Sequence, residues 1–321
     1  MSTQVHGSHL VDVTLLTSAV SKGAVCLDGS PPAYFFQKGS GDGADNWLVY
    51  LEGGGWCASH VGCDQRTRTV VGSSKLRKGA AYFGQILSSD QTINPDFYNW
   101  NIVSVVYCDG SSYMGDVEGN TDIKRRGARI FDGIMEDLLA KGMKNAKNAI
   151  LSGGSAGGLG AILHCDGFRA LIPTASRVKC ISDSGFFIHA KDLPGAKNRE
   201  QYFGSITAYH LKKHYFSNDP TWRSCTSNLK VCTPTQLQTM KDFHAAMIKT
   251  LREVANSKST GIFVHSCYRH GHFYDQGFWD NSPILGDKTI AKAIGDWYFE
   301  RSPVQEIDTQ NELPRNCTKH A

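Results

Sequence analysis

Short continuous apolar runs, separated by polar turns and by stretches of helical period, organise most of this chain. Residues 47–51, 102–107 and 149–151 are such runs, and 178–182 and 261–265 read as further strands. Runs without polar alternation are what strands buried on both faces of a sheet require. A turn-rich stretch at 24–32 precedes a further strand at 34–37. Ile130, Ile134 and Leu138 step by four through 126–141, which predicts a helix with Gly142 as its C-cap. Leu237, Met240, Met247, Leu251 and Val254 stripe a second helix, opened by Thr233 as N-cap, Pro234 and Gln236. A closing helix is predicted over 289–299. Residues 1–20 read as a loosely ordered tail ending in a short strand or helix start, and 302–321 as a polar tail. No buried strand is predicted over 191–231. Strands alternate with helices, with no repeat or linker. That pattern predicts an α/β fold, one domain over 21–301 with a doubly wound, mostly parallel sheet and helices on both faces.

The stretch Asn148-Ala-Ile-Leu-Ser-Gly-Gly-Ser-Ala-Gly-Gly-Leu-Gly-Ala-Ile-Leu-His164 carries the sharpest chemistry. An apolar strand end, small residues at 152–158 and an apolar helical run put Gly153, Ser155 and Gly157 in the GxSxG spacing of the α/β-hydrolase nucleophile turn. The serine of such a turn sits at a strained backbone angle with its hydroxyl exposed, and side chains at 153 and 157 would collide with the neighbouring strand or helix. With 33 glycines in 321 residues a bare GxSxG could arise by chance, so the flanking strand and helix carry the reading.

Glu52-Gly-Gly-Gly-Trp-Cys57 follows the buried run at 47–51. Three glycines there leave backbone amides free to approach a ligand, as in the oxyanion loop of HGGG-type hydrolases. A serine hydroxyl also needs a neighbouring base. In α/β-hydrolases the chain order is serine, acid, histidine, which points to the loop after the last strand. His270 lies there; His272 is close by and His265 falls within the strand, and spacing alone barely separates His270 from His272. Phe186 and Phe187 could wall a pocket, although core packing is the more ordinary role for such residues.

Composition narrows the setting. Hydrophobic residues at 40% and charged residues at 20% describe a soluble globular protein with a sizeable core. The net charge of +4 and the single short basic run Lys124-Arg125-Arg126 argue against nucleic acid, and hint only weakly at a polyanionic substrate. No run approaches the length that spans a bilayer, so no membrane partner is expected. Ten cysteines form an even, high count. Cys57 with Cys63, Cys165 with Cys180 and Cys225 with Cys232 are near enough in sequence to bridge, and no CxxC pair occurs, so neither a metal nor another cofactor is expected. Disulfides place the protein outside the cytosol. Residues 1–9 have no apolar core and do not read as a signal peptide, which implies a signal already removed or a form lacking one.

The chain resembles the plant pectin acetylesterase family, whose animal relatives are of the Notum type. The resemblance is carried by Lys22-Gly-Ala-Val-Cys-Leu-Asp-Gly-Ser-Pro-Pro-Ala-Tyr34, Leu51-Glu-Gly-Gly-Gly-Trp-Cys57, Asn94-Pro-Asp-Phe-Tyr-Asn-Trp-Asn101, Tyr107-Cys-Asp-Gly-Ser-Ser112, Arg126-Gly-Ala-Arg129, Ser152-Gly-Gly-Ser-Ala-Gly-Gly158, Asp183-Ser-Gly-Phe-Phe187 and Gly295-Asp-Trp-Tyr298. It implies a secreted cell-wall serine carboxylesterase, taken to be a monomer, acting on acetylated pectin. Its nucleophile falls on Ser155, its base on His270, and its oxyanion amides on Gly54, Gly55 and Ala156. It also implies a further strand before the last helix, followed by the triad aspartate. Here Phe203-Gly-Ser-Ile-Thr-Ala-Tyr-His-Leu-Lys212 runs almost directly into Asp219-Pro-Thr-Trp-Arg-Ser-Cys225, and that strand and its acid are missing. Asp183 is the available substitute acid, weighed against a purely structural role. Three readings follow: an active pectin acetylesterase, a variant that keeps the polysaccharide cleft without the chemistry, and a Notum-like acyl-protein deacylase.

Overall fold

The structure is a computed structural model that describes residues 9–118, 122–187, 221, 224–225, 228–254, 257, 259–267, 269–273, 276–280 and 283–308. Most of the 203–225 stretch, where the missing strand is expected, and the tail beyond 308 lie outside the described residues. The described residues group into two compact units, one within 9–186 and the other comprising Phe187 and the described residues of 221–308.

The first unit is built on seven strands: β1 (His9–Leu15), β2 (Ala33–Gln37), β3 (Asn46–Leu51), β4 (Ala80–Phe83), β5 (Asn101–Val105), β6 (Asn148–Gly154) and β7 (Arg177–Asp183). Their order across the sheet is β4-β1-β2-β5-β3-β6-β7. β5, β3, β6 and β7 run parallel, whereas β4, β1 and β2 join them antiparallel. The continuous apolar runs are the parallel strands: β5 is buried throughout and β3 from Trp47 onward. The antiparallel strands give weaker signals because side chains such as Leu10 and Tyr82 face solvent. β1 supplies the short strand expected near the end of the N-terminal tail.

The unit also holds three helices, α1 (His60–Thr67), α2 (Gly127–Ala140) and α3 (Ala156–Leu171), of which α2 and α3 pack on this sheet while α1 buries Cys63 in a small cluster with Leu27, Cys57 and Ile123. α2 buries Ile130, Phe131, Ile134, Met135 and Leu138, the four-residue stripe and its neighbours, in the same core as Val49, Val103 and Leu151. Lys141 closes α2 and Gly142 follows at φ +120°, a left-handed-side conformation that ends the helix. On α3, His164 stacks on Phe131 with ring centroids 3.8 Å apart, and its Nε2 donates to the Tyr113 carbonyl at 2.9 Å.

The second unit holds α4 (Pro234–Val254), β8 (Ile262–Val264), α5 (Gln276–Trp279), α6 (Ile290–Tyr298) and β9 (Gln305–Ile307). The predicted capping box opens α4: the Gln236 amide donates to Thr233 Oγ1 at 3.2 Å, and the Thr233 amide donates to Gln236 Oε1 at 2.8 Å. Two expectations change here. β8 pairs with β9 in a parallel sheet of its own. β9 lies in the stretch read as a polar tail, since three residues of Gln-Glu-Ile carry no strand signal until a distant partner pairs with them.

The three cysteine pairs expected from spacing are disulfides: Cys57–Cys63, Cys165–Cys180 and Cys225–Cys232. Cys26–Cys108 is a fourth, spanning 82 residues, and Cys267 is disulfide-bonded as well. Phe186 and Phe187 are both half-buried.

Burial holds the His164 imidazole below its ordinary pKa, outweighing the Tyr113 carbonyl. Between the folded value and the unfolded value of about 6.5, the unfolded chain binds more protons, so stability rises with pH across that window. As pH falls below about 6.5, this part of the stability should be lost, until the folded value is passed. Thermal midpoints measured across pH should show that loss in the wild type and a flatter profile in His164→Gln.

Candidate active site

The four parallel strands deliver their carboxyl ends to one edge of the sheet, where open α/β sheets place their ligands. Leu51 pairs with Gly153, and Gly154 with Asp183. The glycine loop after β3, the serine after β6 and the aspartate ending β7 therefore emerge side by side.

Ser155 sits between β6 and α3 at φ +55° and ψ −120°, a sparsely populated conformation for a residue with a Cβ. Its amide donates to the Asp183 carbonyl at 2.8 Å, and its side chain is half-exposed. The flanking glycines are sites of backbone contact. A Cβ on Gly153 would run into the Gly157 carbonyl, and a Cβ on Gly157 into the carbonyls of Leu51 and Glu52. Both clashes are with main chain, which cannot move aside.

The glycine loop abuts this turn. A Cβ on Gly53 would meet the Gly154 carbonyl and lie 3.0 Å from Ser155 Cβ. Gly54 and Gly55 follow at φ +149° and +66°. Ala156 is the first residue of α3, so its amide has no acceptor within the helix. The helix N-terminus adds a partial positive charge beside Ser155. Glu52, at the start of the loop, is held by Arg77 Nη2 at 2.5 Å; burial pushes its carboxyl up, and the Arg77 guanidinium opposes that shift.

Asp183 is buried, and one carboxylate oxygen accepts from the Ser184 hydroxyl at 3.0 Å. The backbone pairs it with Gly154, next to Ser155.

His270 belongs to the second unit, in the loop after β8, and is exposed. His272 is half-buried there and its Nε2 lies 2.7 Å from His265 Nε2. His265 Nδ1 accepts from the Cys267 amide at 3.1 Å, so in a neutral pair its proton is on Nε2 and is given to His272. His272 Nε2 is therefore the acceptor in that pair. The histidine pair has no sequence signal beyond two histidines seven residues apart. Asp308, in the stretch read as tail, accepts from the Ser266 hydroxyl at 2.5 Å in the same loop.

The pectinacetylesterase family model matches residues 5–219 and 208–320. Pectin acetylesterase 11 of Arabidopsis thaliana is 40% identical over 357 aligned positions, which cover 95% of this chain and 91% of that protein. The chain belongs to the pectin acetylesterase family. Pectin acetylesterase 7 of the same plant is equally similar, at 40% over the same coverage. The palmitoleoyl-protein carboxylesterase notum1a of Danio rerio is 35% identical over 347 positions, covering 92% of this chain and 67% of that protein. Membership makes this chain a carboxylic-ester hydrolase by class.

The match of this pectin acetylesterase family member is interrupted. Its two matched stretches overlap at 208–219, so the family pattern stops and restarts inside the same short segment. In the first comparison, 357 aligned positions cover 95% of 321 residues, or about 305, leaving about 50 positions with no residue in this chain.

The backbone strain at Ser155 is measurable. A conformation of this kind costs about 1–3 kcal/mol for a residue with a Cβ. Ser155→Gly should raise the thermal midpoint by about 1–3 °C over Ser155→Ala, since both remove the hydroxyl and only glycine relieves the strain. Equal midpoints for the two variants would contradict the strain.

Proposed function

We propose that this chain is a serine carboxylesterase that removes acetyl groups from cell-wall pectin, with Ser155 as nucleophile and His270 as its base. The observation that supports it most is the backbone of Ser155: a strained, half-exposed serine at the head of a helix, with a glycine loop against it. Strain of this kind is retained where it serves chemistry.

In this reading Ser155 Oγ attacks the acetyl carbonyl carbon while His270 takes the hydroxyl proton. The carbonyl oxygen becomes the oxyanion and is held by the amides of Gly54, Gly55 and Ala156. The tetrahedral intermediate collapses, the sugar oxygen leaves with the proton from His270, and acetyl-Ser155 remains. Water, deprotonated by His270, then releases acetate and restores the serine. No metal or cofactor enters these steps. Asp183 is the substitute acid, orienting the imidazole. In this reading the chain is one pectin acetylesterase domain whose bounds reach beyond 21–301 to take in β1 and β9, acting as a secreted monomer on acetylated pectin; the disulfides support an oxidising compartment.

A second reading is favoured by the interrupted family match. If the missing positions carry the acid, the chain keeps the polysaccharide cleft and loses the chemistry. In a model protease, loss of a correctly oriented histidine costs about ten-thousand-fold in rate. The two readings part on one experiment. Acetate release from acetylated pectin, abolished in Ser155→Ala and in His270→Ala, is expected of the esterase. Binding of acetylated pectin with no release would overturn it in favour of the non-catalytic variant. Turnover of long-chain but not acetyl nitrophenyl esters would move the substrate to a fatty acyl group. Asp183→Asn should lower kcat by about ten-thousand-fold as the acid; a change within about tenfold would leave Asp183 as structural.

A further inference from the structure

The segment after β5 carries strain for which the proposed chemistry gives no use by itself. Ser112 and Tyr113 sit consecutively at φ +57° and +61°, with Gly110 at +64° just before them. Each non-glycine residue in such a conformation costs about 1–3 kcal/mol and persists only where surrounding structure fixes it. Asp109, 1% exposed, does the fixing: its Oδ2 accepts from the amides of Ser111 and Tyr113, both at 3.1 Å, and from the Ser111 hydroxyl.

The segment after β5 reaches the glycine loop at four residues, Glu52, Gly55, Trp56 and Cys57. The Tyr113 hydroxyl is 3.1 Å from the Glu52 carbonyl. The Tyr107 hydroxyl donates to the Gly55 carbonyl at 2.8 Å, while the Ser112 amide donates to that hydroxyl at 3.0 Å. Ser112 Oγ accepts from the Trp56 indole at 2.7 Å, and the Gly110 carbonyl accepts from the Cys57 amide at 3.2 Å. Arg66 completes the Gly55 hold, with Nη2 at 3.4 Å from its carbonyl and its guanidinium over the Tyr107 ring at 5.2 Å.

A peptide unit is planar, so fixing a carbonyl fixes the whole plane. The held carbonyls of Glu52 and Gly55 fix the planes that carry the Gly53 and Trp56 amides, and so set the two ends between which the Gly54 and Gly55 amides lie. We propose that Tyr107 and Ser112 are positioning residues that aim the glycine-loop amides at the developing oxyanion, and that this is what the strained 110–113 turn is for. The inference rests on the esterase reading above.

The test uses Tyr107→Phe and Ser112→Gly with p-nitrophenyl acetate and a trifluoromethyl ketone, which forms an oxyanion-bearing adduct with a nucleophilic serine. Both variants should lose about tenfold or more in kcat, with KM within about twofold, since a donor to the oxyanion acts in the transition state and loss of one costs about a hundredfold or more. Affinity for the ketone should fall in parallel. Ser112→Gly discriminates against a merely structural role: glycine relieves the positive φ, so the variant should melt no lower than wild type while its kcat falls. Wild-type kcat and ketone affinity in folded Tyr107→Phe would overturn the inference for Tyr107, and the same result in folded Ser112→Gly, which keeps the Ser112 amide on the Tyr107 hydroxyl and loses only the Trp56 indole contact, would overturn it for Ser112. A wild-type chain that turns over neither ester nor ketone would instead overturn the esterase reading, and this inference with it.

Discussion

Three stretches of main chain meet at Ser155 with no room for a side chain between them. The glycine loop after β3 lies on the end of β6, and the first turn of α3 lies on Leu51 and Glu52. Glycine at 53, 153 and 157 is the condition for that approach, because each missing Cβ would strike a carbonyl. A side-chain collision could be relieved by a rotamer change; a collision with backbone moves a strand. The parallel register of β3, β6 and β7 makes the approach unavoidable, since it brings all three carboxyl ends to the same edge. Once those backbones are in contact, the connection from β6 to α3 has no relaxed path, and Ser155 takes the strain.

Around that contact the chain is braced. Glu52 is tied to Arg77, Cys57 to Cys63, and Cys26 to Cys108 at the base of the strained turn. Burial raises both Asp109 and Tyr107 above their ordinary pKa values, so neither gives up its proton as readily as it would in water. For Tyr107 that keeps a donor on the Gly55 carbonyl. For Asp109 the Ser111 hydroxyl and Arg66 act in the opposite direction, and the carboxyl remains the acceptor that shapes the turn. In the proposed esterase such bracing would serve preorganisation: dipoles that are already aimed need not reorganise as charge develops.

The parts of the fold legible in the sequence are those where a local rule coincides with burial. β3, β5 and β6 are buried almost throughout and mostly apolar because both faces are covered, and the Thr233–Gln236 capping box reads directly from two side chains three apart. The nucleophile turn is legible because its glycines answer to neighbours whose presence the strand and helix already imply. What escapes sequence reading depends on distance along the chain. β9 exists only because β8 lies beside it, and Cys26 finds Cys108 across 82 residues. β4 is half-exposed at the sheet edge, so its pattern is mixed. Tyr107 and Ser112 carry no signal of their role, since a tyrosine after a buried strand reads as core until its hydroxyl is seen on Gly55. The engagement of His272 by His265 is likewise invisible to spacing.

The central claim is that Ser155 and the glycine-loop amides form one oxyanion-binding nucleophile site. A crystal structure of the protein after reaction with a fluorophosphonate tests it most directly. The account predicts phosphorus bonded to Ser155 Oγ, with the phosphonyl oxygen about 2.7–3.1 Å from amides of the Gly54, Gly55 and Ala156 set. An adduct on another residue, or a phosphonyl oxygen turned to solvent with those amides unengaged, would contradict it.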